Sequence, residues 1–298
     1  MSEDGDLPTA AKVIFFPDWH VGSTVGLFFP WQWTGADAPI NPTKITRIMW
    51  KVFEKGLDTI QAQRTKGDRL VIICNGDLID GKHHDTNELL TGDENQQELI
   101  AISILEWALE KLEFDDTKDK LIFIKGTGVH VRNGQSTDRI AADFREIVYP
   151  LQKGTAKNNF MDAKLTHQRL EFSINGVRFD VAHHPEARPG RRAWTKDNAL
   201  RAFLLSQYFD HLEEATLMPH YWIRAHAHVF TPAIIEKSRG TFRGVILPAL
   251  QAKTDFVYRI AAGAKPMPGL YWVNVSADGT HAPDSVTVKI KQEKTAVF

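Results

Sequence analysis

Short apolar runs alternate with longer amphipathic stretches in the first half of the chain. The runs at residues 12–17, 69–75 and 120–125 have the length and composition of buried strands. Apolar positions at helical spacing predict a helix that opens at Asn41-Pro42 and ends at Gly67. They predict a second helix, capped by Asp93 and Gln96, to about residue 114, and a third over about 137–148.

The second half of the chain is richer in strands. Strands at 169–174 and 177–182 flank Asn175-Gly176, a strong signal for a two-residue hairpin. A helical stretch over about 193–214 precedes predicted strands at 221–225, 233–237, 242–247, 270–275 and 285–291. We expect irregular surface segments at 21–40 and 257–268. This order predicts two β-sheets packed face to face with helices outside.

The composition supports a large globular core and excludes some classes of protein. The chain has 298 residues, 43% of them hydrophobic, and we expect one domain over 1–298 with a flexible tail at 1–10. Its one cysteine, Cys74, lies in an apolar run, which indicates a buried side chain and excludes a disulfide framework. The formal net charge of -1 gives no global basic field for nucleic acid. With neither a signal peptide nor a membrane span expected, the predicted location is the cytoplasm.

Polar residues that bind metals well follow five of the predicted strands. The carboxyl ends of strands are where sites form in α/β sheets. Carboxylates and imidazoles hold divalent cations, and two such cations can clamp a phosphate. The residues are Asp18 and His20 after the first strand, Asp77 and Asp80 after the second, Thr127 and His130 after the third, His183 and His184 after the hairpin, and His226 and His228 after the strand at 221–225.

The spacing within two of these motifs also fits a metal site. In Asp18-x-His20 and His226-x-His228, two side chains fall on the same side of an extended segment, so one segment can reach a site twice. Either pair alone is common in turns. The occurrence of all five motifs in this order, each directly after an apolar strand, favours a two-metal phosphoesterase.

The series resembles the calcineurin-like metallophosphoesterase superfamily. That pattern is Asp-x-His, Gly-Asp-x-x-Asp, Gly-Asn-His-Asp/Glu, a lone His, and Gly-His-x-His. This chain matches it at Asp18/His20, Gly76-Asp77-Leu78-Ile79-Asp80, His183 and His226-Ala227-His228. The resemblance implies an α/β fold, a four-layer α/β/β/α sandwich of two packed mixed β-sheets flanked by helices. It also implies two divalent cations, with Mn²⁺ the first choice and Fe, Zn, Ni or Co as alternatives.

The resemblance assigns ligands to each cation. One would be held by Asp18, His20, Asp77 and His228. The other would be held by His183, His226, a residue of the third motif and Asp77, which would bridge the two. His183 is preferred to His184 because it follows directly on the strand.

Two positions depart from the superfamily pattern. Ala225 replaces the glycine before His-x-His, which is tolerable if its backbone angles are ordinary. The third motif reads Gly126-Thr127-Gly128-Val129-His130, with two extra residues and no Asn. Thr127 could supply an oxygen ligand, His130 could reach the second cation or remain a proton donor, and Asn133 is a third candidate.

Groups suited to a phosphate substrate surround the motifs. His130 or His84 could protonate the leaving oxygen, and Asp80 could orient a ligand. Candidate substrate-binding residues are Thr127, Arg132, Asn133, His184, Arg191 and Arg192, with Trp194 able to stack on a base. The stretch at 191–200 resembles forms of the superfamily carried by bacterial viruses, which would act in the host cytoplasm.

These features favour hydrolysis of phosphate diesters, of nucleotide or nucleic-acid type, by a metal-bridging hydroxide. A phosphomonoesterase acting on protein or small molecules is the close alternative. A non-catalytic interaction module on the same fold and a mononuclear hydrolase with His183, His226 and His228 as ligands are the rivals from other classes. The sequence leaves the oligomeric state open.

Overall fold

The computed structural model describes residues 9–35, 38–82, 88–128, 130, 135–147, 166–187, 189, 195–255 and 266–289. The described elements, in chain order, are β1 (Ala11–Pro17), α1 (Lys44–Ala62), β2 (Arg69–Asn75), α2 (Glu94–Lys111), β3 (Lys120–Ile124), α3 (Gln135–Ile147), β4 (Thr166–His167), β5 (Arg169–Ile174), β6 (Val177–Ala182), α4 (Asn198–Glu213), β7 (Tyr221–Arg224), β8 (Thr231–Lys237), β9 (Gly240–Ile246), β10 (Gly269–Val275) and β11 (His281–Thr287). Within the described residues, no helix is long and apolar enough to cross a membrane.

The strands form two mixed sheets. The six-stranded sheet has the order β11-β10-β1-β2-β3-β4, in which β1 to β4 are parallel and β10 and β11 are antiparallel to their neighbours. The five-stranded sheet has the order β5-β6-β7-β9-β8, with β6, β7 and β9 parallel. Parallel strands end at the same edge, so the residues that follow β1, β2 and β3, and those that follow β6 and β7, are neighbours.

Alternation along the strands separates three apolar layers. On β1, Ile14 and Phe16 pack against the helices α1, α2 and α3, whereas Val13 and Phe15 pack against the second sheet. On the far side of the second sheet, α4 covers Trp222, Phe242 and other apolar residues. The predicted four-layer α/β/β/α sandwich is confirmed.

Several predicted boundaries are corrected by hydrogen bonding. Helix α1 begins after Thr43, whose hydroxyl accepts from the Thr46 backbone N–H, so Asn41-Pro42 precedes the cap. Asp93 caps α2 as predicted, accepting from the Asn95 backbone N–H. Strand β11 begins four residues before the predicted start, because pairing with β10, and not apolar character, defines this strand.

The expectation that residues 21–40 form a surface segment is wrong. Leu27 and Phe28 are fully buried and Phe29 is nearly so. They belong to the core between the first sheet and its helices. Apolar residues in this segment do not recur at helical or strand spacing, so it forms no regular element. Its large side chains nevertheless pack in the core.

Candidate metal centre

The candidate ligands converge at one edge of the sandwich. Four groups of side chains have potential ligand atoms within 4.8 Å of one another: Asp18, His20 and His228; His20, Asp77 and His130; Asp18, Asp77 and His183; and His183, His184 and His226. Asp77 therefore lies between a group that contains His20 and a group that contains His183. The shared carboxylate is the arrangement that a bridging ligand requires.

The backbone at these residues is left-handed. The φ angles are +40° at Asp18, +46° at His20, +43° at Asp77, +66° at His226 and +54° at His228. Such angles are uncommon outside glycine, although Asp and His adopt them more readily than most residues. Both ligand positions of the Asp-x-His and His-x-His motifs therefore have left-handed backbone, and the expectation that these motifs are extended segments is wrong.

The His20 ring is held by Asp80, which in turn is held by Gln251. Its Nδ1 donates to Asp80 Oδ1 at 2.9 Å, and Gln251 Nε2 donates to the same oxygen at 3.1 Å. His20 Nε2 then lies 3.1 Å from His228 Nε2. Asp80 thus occupies a position from which it can orient a ligand, as a carboxylate behind a metal-binding imidazole does.

Asp18 is completely buried and only partly satisfied. Its Oδ2 accepts from the His226 backbone N–H at 3.1 Å. Its Oδ1 is buried and has no hydrogen-bond partner among the described residues. Burial raises the pKa of Asp18 to about 6. A buried carboxylate oxygen without a donor is stabilised by a cation.

The second group of ligands is built around His183 and Thr127. His183 Nδ1 donates to the Asn75 carbonyl at 2.9 Å, which leaves Nε2 3.0 Å from Asp77 Oδ2. The Thr127 backbone N–H donates to Asp77 Oδ1 at 2.6 Å. The Thr127 hydroxyl lies 3.3 Å from His183 Nε2 and 3.1 Å from His226 Nδ1. The Thr127 hydroxyl oxygen therefore lies beside three of the candidate ligands, Asp77, His183 and His226.

Charges at the centre stabilise one another. Burial by itself raises the pKa of Asp77, but the neighbouring His183 holds it well below its usual value. Burial likewise lowers the pKa of His183, but the charge and hydrogen bond of Asp77 raise it to about 9. The pair thus favours a carboxylate at the position shared by the two groups.

His130 lies beside the first group of ligands. Its Nδ1 donates to the Asp80 carbonyl at 2.6 Å, and its ring centroid is 4.6 Å from that of His20. It forms a ligand group with His20 and Asp77, whereas within the described chain no such group joins it to His226. Burial and the neighbouring His20 lower the pKa of His130 to about 4.

His183 and His184 occupy different environments. His183 is buried and contacts Asp77, whereas His184 is exposed and its ring lies 4.7 Å from that of His226. This arrangement favours His183 as the metal ligand, while His184 lines the exposed side of the centre beside His226. The other candidates, His84, Arg132, Asn133, Arg191 and Arg192, lie outside the described residues, as does Trp194.

The departure at Ala225 leaves the local structure intact. Ala225 is fully buried and is not among the residues with positive φ. Its N–H donates to the His183 carbonyl at 2.8 Å, which links the ends of β6 and β7.

Three supporting contacts were not predicted from the sequence. Gln251 braces Asp80, the Asn75 carbonyl anchors the His183 ring, and the Arg224 guanidinium donates to both Glu186 oxygens at 2.8 Å. Asn75 and Arg224 each end a strand directly before a ligand motif, so their positions in the sequence could have indicated a supporting role. Gln251 follows β9 by several residues and gave none.

The donor set fits divalent cations. Carboxylates and imidazoles together suit Mn, Fe and Zn. The Nε2 atoms of His20 and His228 face each other at 3.1 Å, and His183 Nε2 faces the Asp77 carboxylate. The unpartnered Oδ1 of Asp18 adds a buried negative atom at the same place.

Comparisons with known proteins find similarity only among solved structures. No protein-family model matches the sequence, and the comparison with curated proteins gave no significant match. The fold has the four layers that the resemblance in sequence motifs implies. Similar structures include the zinc complex of Vps29 from Entamoeba histolytica, at 14% identity and a TM-score of 0.34, covering 93% of this chain and 98% of that one.

Two further structures are similar at the same level. The phosphoesterase YfcE from E. coli is 11% identical, with a TM-score of 0.35 over 92% of this chain and 99% of that one. A metallophosphoesterase from Sphaerobacter thermophilus is 10% identical, with a TM-score of 0.33 over 96% of this chain and 90% of that one. Because these likenesses are distant, the function of this chain is inferred from its own side chains.

Proposed function

We propose that this protein is a metal-dependent phosphoesterase with two divalent cations, preferring phosphate diesters. The observation that carries the proposal is the position of Asp77, whose carboxylate is shared by a group containing His20 and a group containing His183. Asp18, His20, Asp77 and His228 would hold one cation. Asp77, His183, His226 and Thr127 would hold the other.

Mn²⁺ is the cation we propose first, with Fe, Zn, Ni and Co as alternatives. When bound, the two cations supply Lewis acidity toward the phosphate oxygens and lower the pKa of water at the site. Asp80 and Gln251 hold the His20 ring, and the Asn75 carbonyl holds the His183 ring. The ligands are thereby fixed before substrate arrives, so little reorganisation is needed.

The exposed side of the centre, lined by His226 and His184, receives the substrate. The His226 side chain is 39% exposed and the neighbouring His184 is also exposed, so a phosphate ester can approach from this side. The Thr127 hydroxyl lies between His226 and Asp77 and can also donate to a phosphate oxygen. His184 then contacts the ester group that remains outside.

His130 is the proposed proton donor to the leaving oxygen. Its Nδ1 donates to the Asp80 carbonyl, and its pKa of about 4 leaves Nε2 without a proton near neutral pH. For Nε2 to donate, the negative charge of a bound phosphate must raise this pKa. His84 is the alternative proton donor. The preference for diesters of nucleotide or nucleic-acid type rests on the sequence positions of Arg191, Arg192 and Trp194.

Activity measurements test the proposal. With Mn²⁺ added, bis(4-nitrophenyl) phosphate is hydrolysed faster than 4-nitrophenyl phosphate. Asp77→Asn lowers either rate at least about a hundredfold, whereas Asp58→Asn, an exposed carboxylate on α1, leaves both rates unchanged. Turnover of the monoester alone would establish the phosphomonoesterase alternative. Turnover of neither ester, with no metal bound, would contradict an enzymatic function.

A further inference from the structure

A group of basic side chains lies at the edge of the sandwich opposite the candidate metal centre. Arg178 is at the start of β6, His220 directly precedes β7, Arg243 is in the first half of β9, and His281 begins β11. We call these four residues the basic cluster. The metal-binding motifs follow the other ends of β6 and β7, so the basic cluster is separate from them.

Arg243 points into the layer between the two sheets. Along β9, Phe242 and Ile246 face α4, whereas Val245 packs in the core between the sheets. Arg243 lies two residues before Val245 and therefore on the same face of the strand. The Arg243 guanidinium lies 5.6 Å from the centroid of the Tyr221 ring. Its Nε and Nη1 atoms are buried and have no hydrogen-bond acceptor among the described residues. Buried guanidinium donors without an acceptor are costly.

His220 also presents a donor. Its Nδ1 accepts from the Arg178 backbone N–H at 3.0 Å, so in the neutral ring the proton is on Nε2. The His220 ring lies 5.5 Å from the ring of His281. His281 Nδ1 lies 2.9 Å from the Tyr221 hydroxyl, which ties this part of the cluster to the ring beneath Arg243.

The charges that act most strongly on this cluster are positive. Burial lowers the pKa of His220 to about 4, and Arg178, His281 and Arg243 act in the same direction. Burial lowers the pKa of His281, and Arg243 lowers it further. The Arg178 side chain donates to the Met218 carbonyl at 3.1 and 2.9 Å, a neutral acceptor. The cluster therefore combines positive potential with donors that a negative ligand could use.

We propose that the basic cluster binds a phosphate group, either as inorganic phosphate or as part of a nucleotide. Arginine N–H groups donate to phosphate oxygens, and the buried Nε and Nη1 of Arg243 are donors without an acceptor among the described residues. His220 Nε2–H and the charge of Arg178 complete the recognition. The site is independent of the proposed phosphoesterase function, because the two lie at opposite edges of the sheets.

Titration of the full-length protein in the presence of a chelator tests this site without contribution from metal ions. Inorganic phosphate and ADP are added at constant ionic strength, and binding is followed by calorimetry and by the ring proton signals of His220 and His281. We expect saturable binding and a rise in the pKa of both histidines, because an anion stabilises their charged forms. Saturation by phosphate indicates the free ion as ligand, and saturation by ADP alone indicates a nucleotide.

Variants separate this site from general electrostatic attraction. Arg243→Gln weakens binding at least about tenfold, and His220→Gln, which leaves the buried guanidinium in place, also weakens it. Arg239→Gln, at the exposed turn before β9, is the matched control and leaves the affinity unchanged. Absence of binding at millimolar phosphate and ADP, or equal binding by the wild type and both cluster variants, would overturn the proposal.

Discussion

Left-handed backbone at the ligand residues is the main conformational feature of the centre. Asp18, His20 and Asp77 have φ between +40° and +46°. Each such residue costs on the order of 1–3 kcal/mol, which surrounding contacts must offset. The His20 N–H donates to the Asp77 carbonyl at 3.0 Å, and the Leu250 N–H donates to the Asp18 carbonyl at 3.0 Å. These hydrogen bonds stabilise the left-handed backbone that orients the side chains toward the centre.

Gly76 permits the His183 ring to approach Asp77. Gly76 has φ of +83°, and a Cβ there would lie 2.2 Å from His183 Nδ1. We predict that Gly76→Ala displaces the ring, lowers metal content and abolishes most turnover. Gly67→Ala is the matched control, because Gly67 has φ of +101° and open space around its Cβ position. It costs about 1–2 kcal/mol from the backbone alone.

The two variants are compared by chemical denaturation and by metal analysis after desalting. If Gly76→Ala bound as much metal as Gly67→Ala, the contact between Gly76 and His183 would have no role in the centre.

Residue identities at the centre were predictable, but their conformations were not. Asp18, His20, Asp77, His183, His226 and His228 follow apolar strands, so both their order and their common edge could be inferred. The turn at each motif depends on contacts with residues distant in sequence, such as Leu250 with Asp18. The hydroxyl of Thr127 could be placed only as one of several alternatives, because the altered motif has no defined spacing.

Among the elements, an ion pair between the buried Arg224 and the 43% exposed Glu186 joins two segments that follow or end strands next to candidate ligands. Arg224 ends β7, two residues before His226, and Glu186 lies three residues after His183. The Arg224 guanidinium donates to both oxygens of Glu186 and also contacts Asp180 at 3.2 and 3.3 Å. The pair therefore positions the loop that carries His183 and His184 against β7.

Removing the charge of Glu186 tests this positioning role. We predict that Glu186→Gln lowers the unfolding free energy by about 0.5–1.5 kcal/mol, because solvent screens this 43% exposed carboxylate. It also weakens the binding of one of the two cations about 10- to 100-fold, as loss of a supporting contact does. The control is Asp197→Asn, which breaks an exposed pair with Arg201 and costs at most about 1 kcal/mol. Metal titration and urea denaturation measure both effects. Unchanged metal affinity in Glu186→Gln would show that the pair is structural only.

Elements with a local signal were predicted well. The hairpin of β5 and β6 has the predicted bounds, because Asn175-Gly176 fixes the turn and thereby the register. Strand β11 was misplaced because it is polar and contains Pro283, as an edge strand can, so only its pairing with β10 defines it. The core role of Leu27 and Phe28 was missed because buried irregular segments have no periodicity.

At the scale of the whole molecule, the two ends of the sandwich differ in charge. Carboxylates and histidines meet at one edge, and the basic cluster lies at the other. His220 has a folded pKa of about 4, below its ordinary value of 6.5. The unfolded state therefore binds more protons between these values, and the unfolding free energy falls as the pH decreases from about 6.5 to 4.

We predict that His220→Gln reduces this loss of stability at acid pH. The groups that face His220 are Arg178, His281 and Arg243, all of which oppose its protonation. Chemical denaturation of wild type and variant, without phosphate, at several pH values between 4 and 7 measures the effect. Stability curves that run parallel through this range would show that His220 is not protonated more readily on unfolding.

We propose that the convergent Asp and His side chains hold two cations that share Asp77. Metal content per chain, measured after Mn²⁺ loading and desalting of the wild type and Asp77→Asn, tests it most directly. We expect about two ions per chain in the wild type and a marked loss in the variant, because the shared carboxylate serves both sites. One ion per chain that persists in Asp77→Asn would instead indicate a mononuclear site. Absence of bound metal in the wild type would show that these side chains form no metal centre.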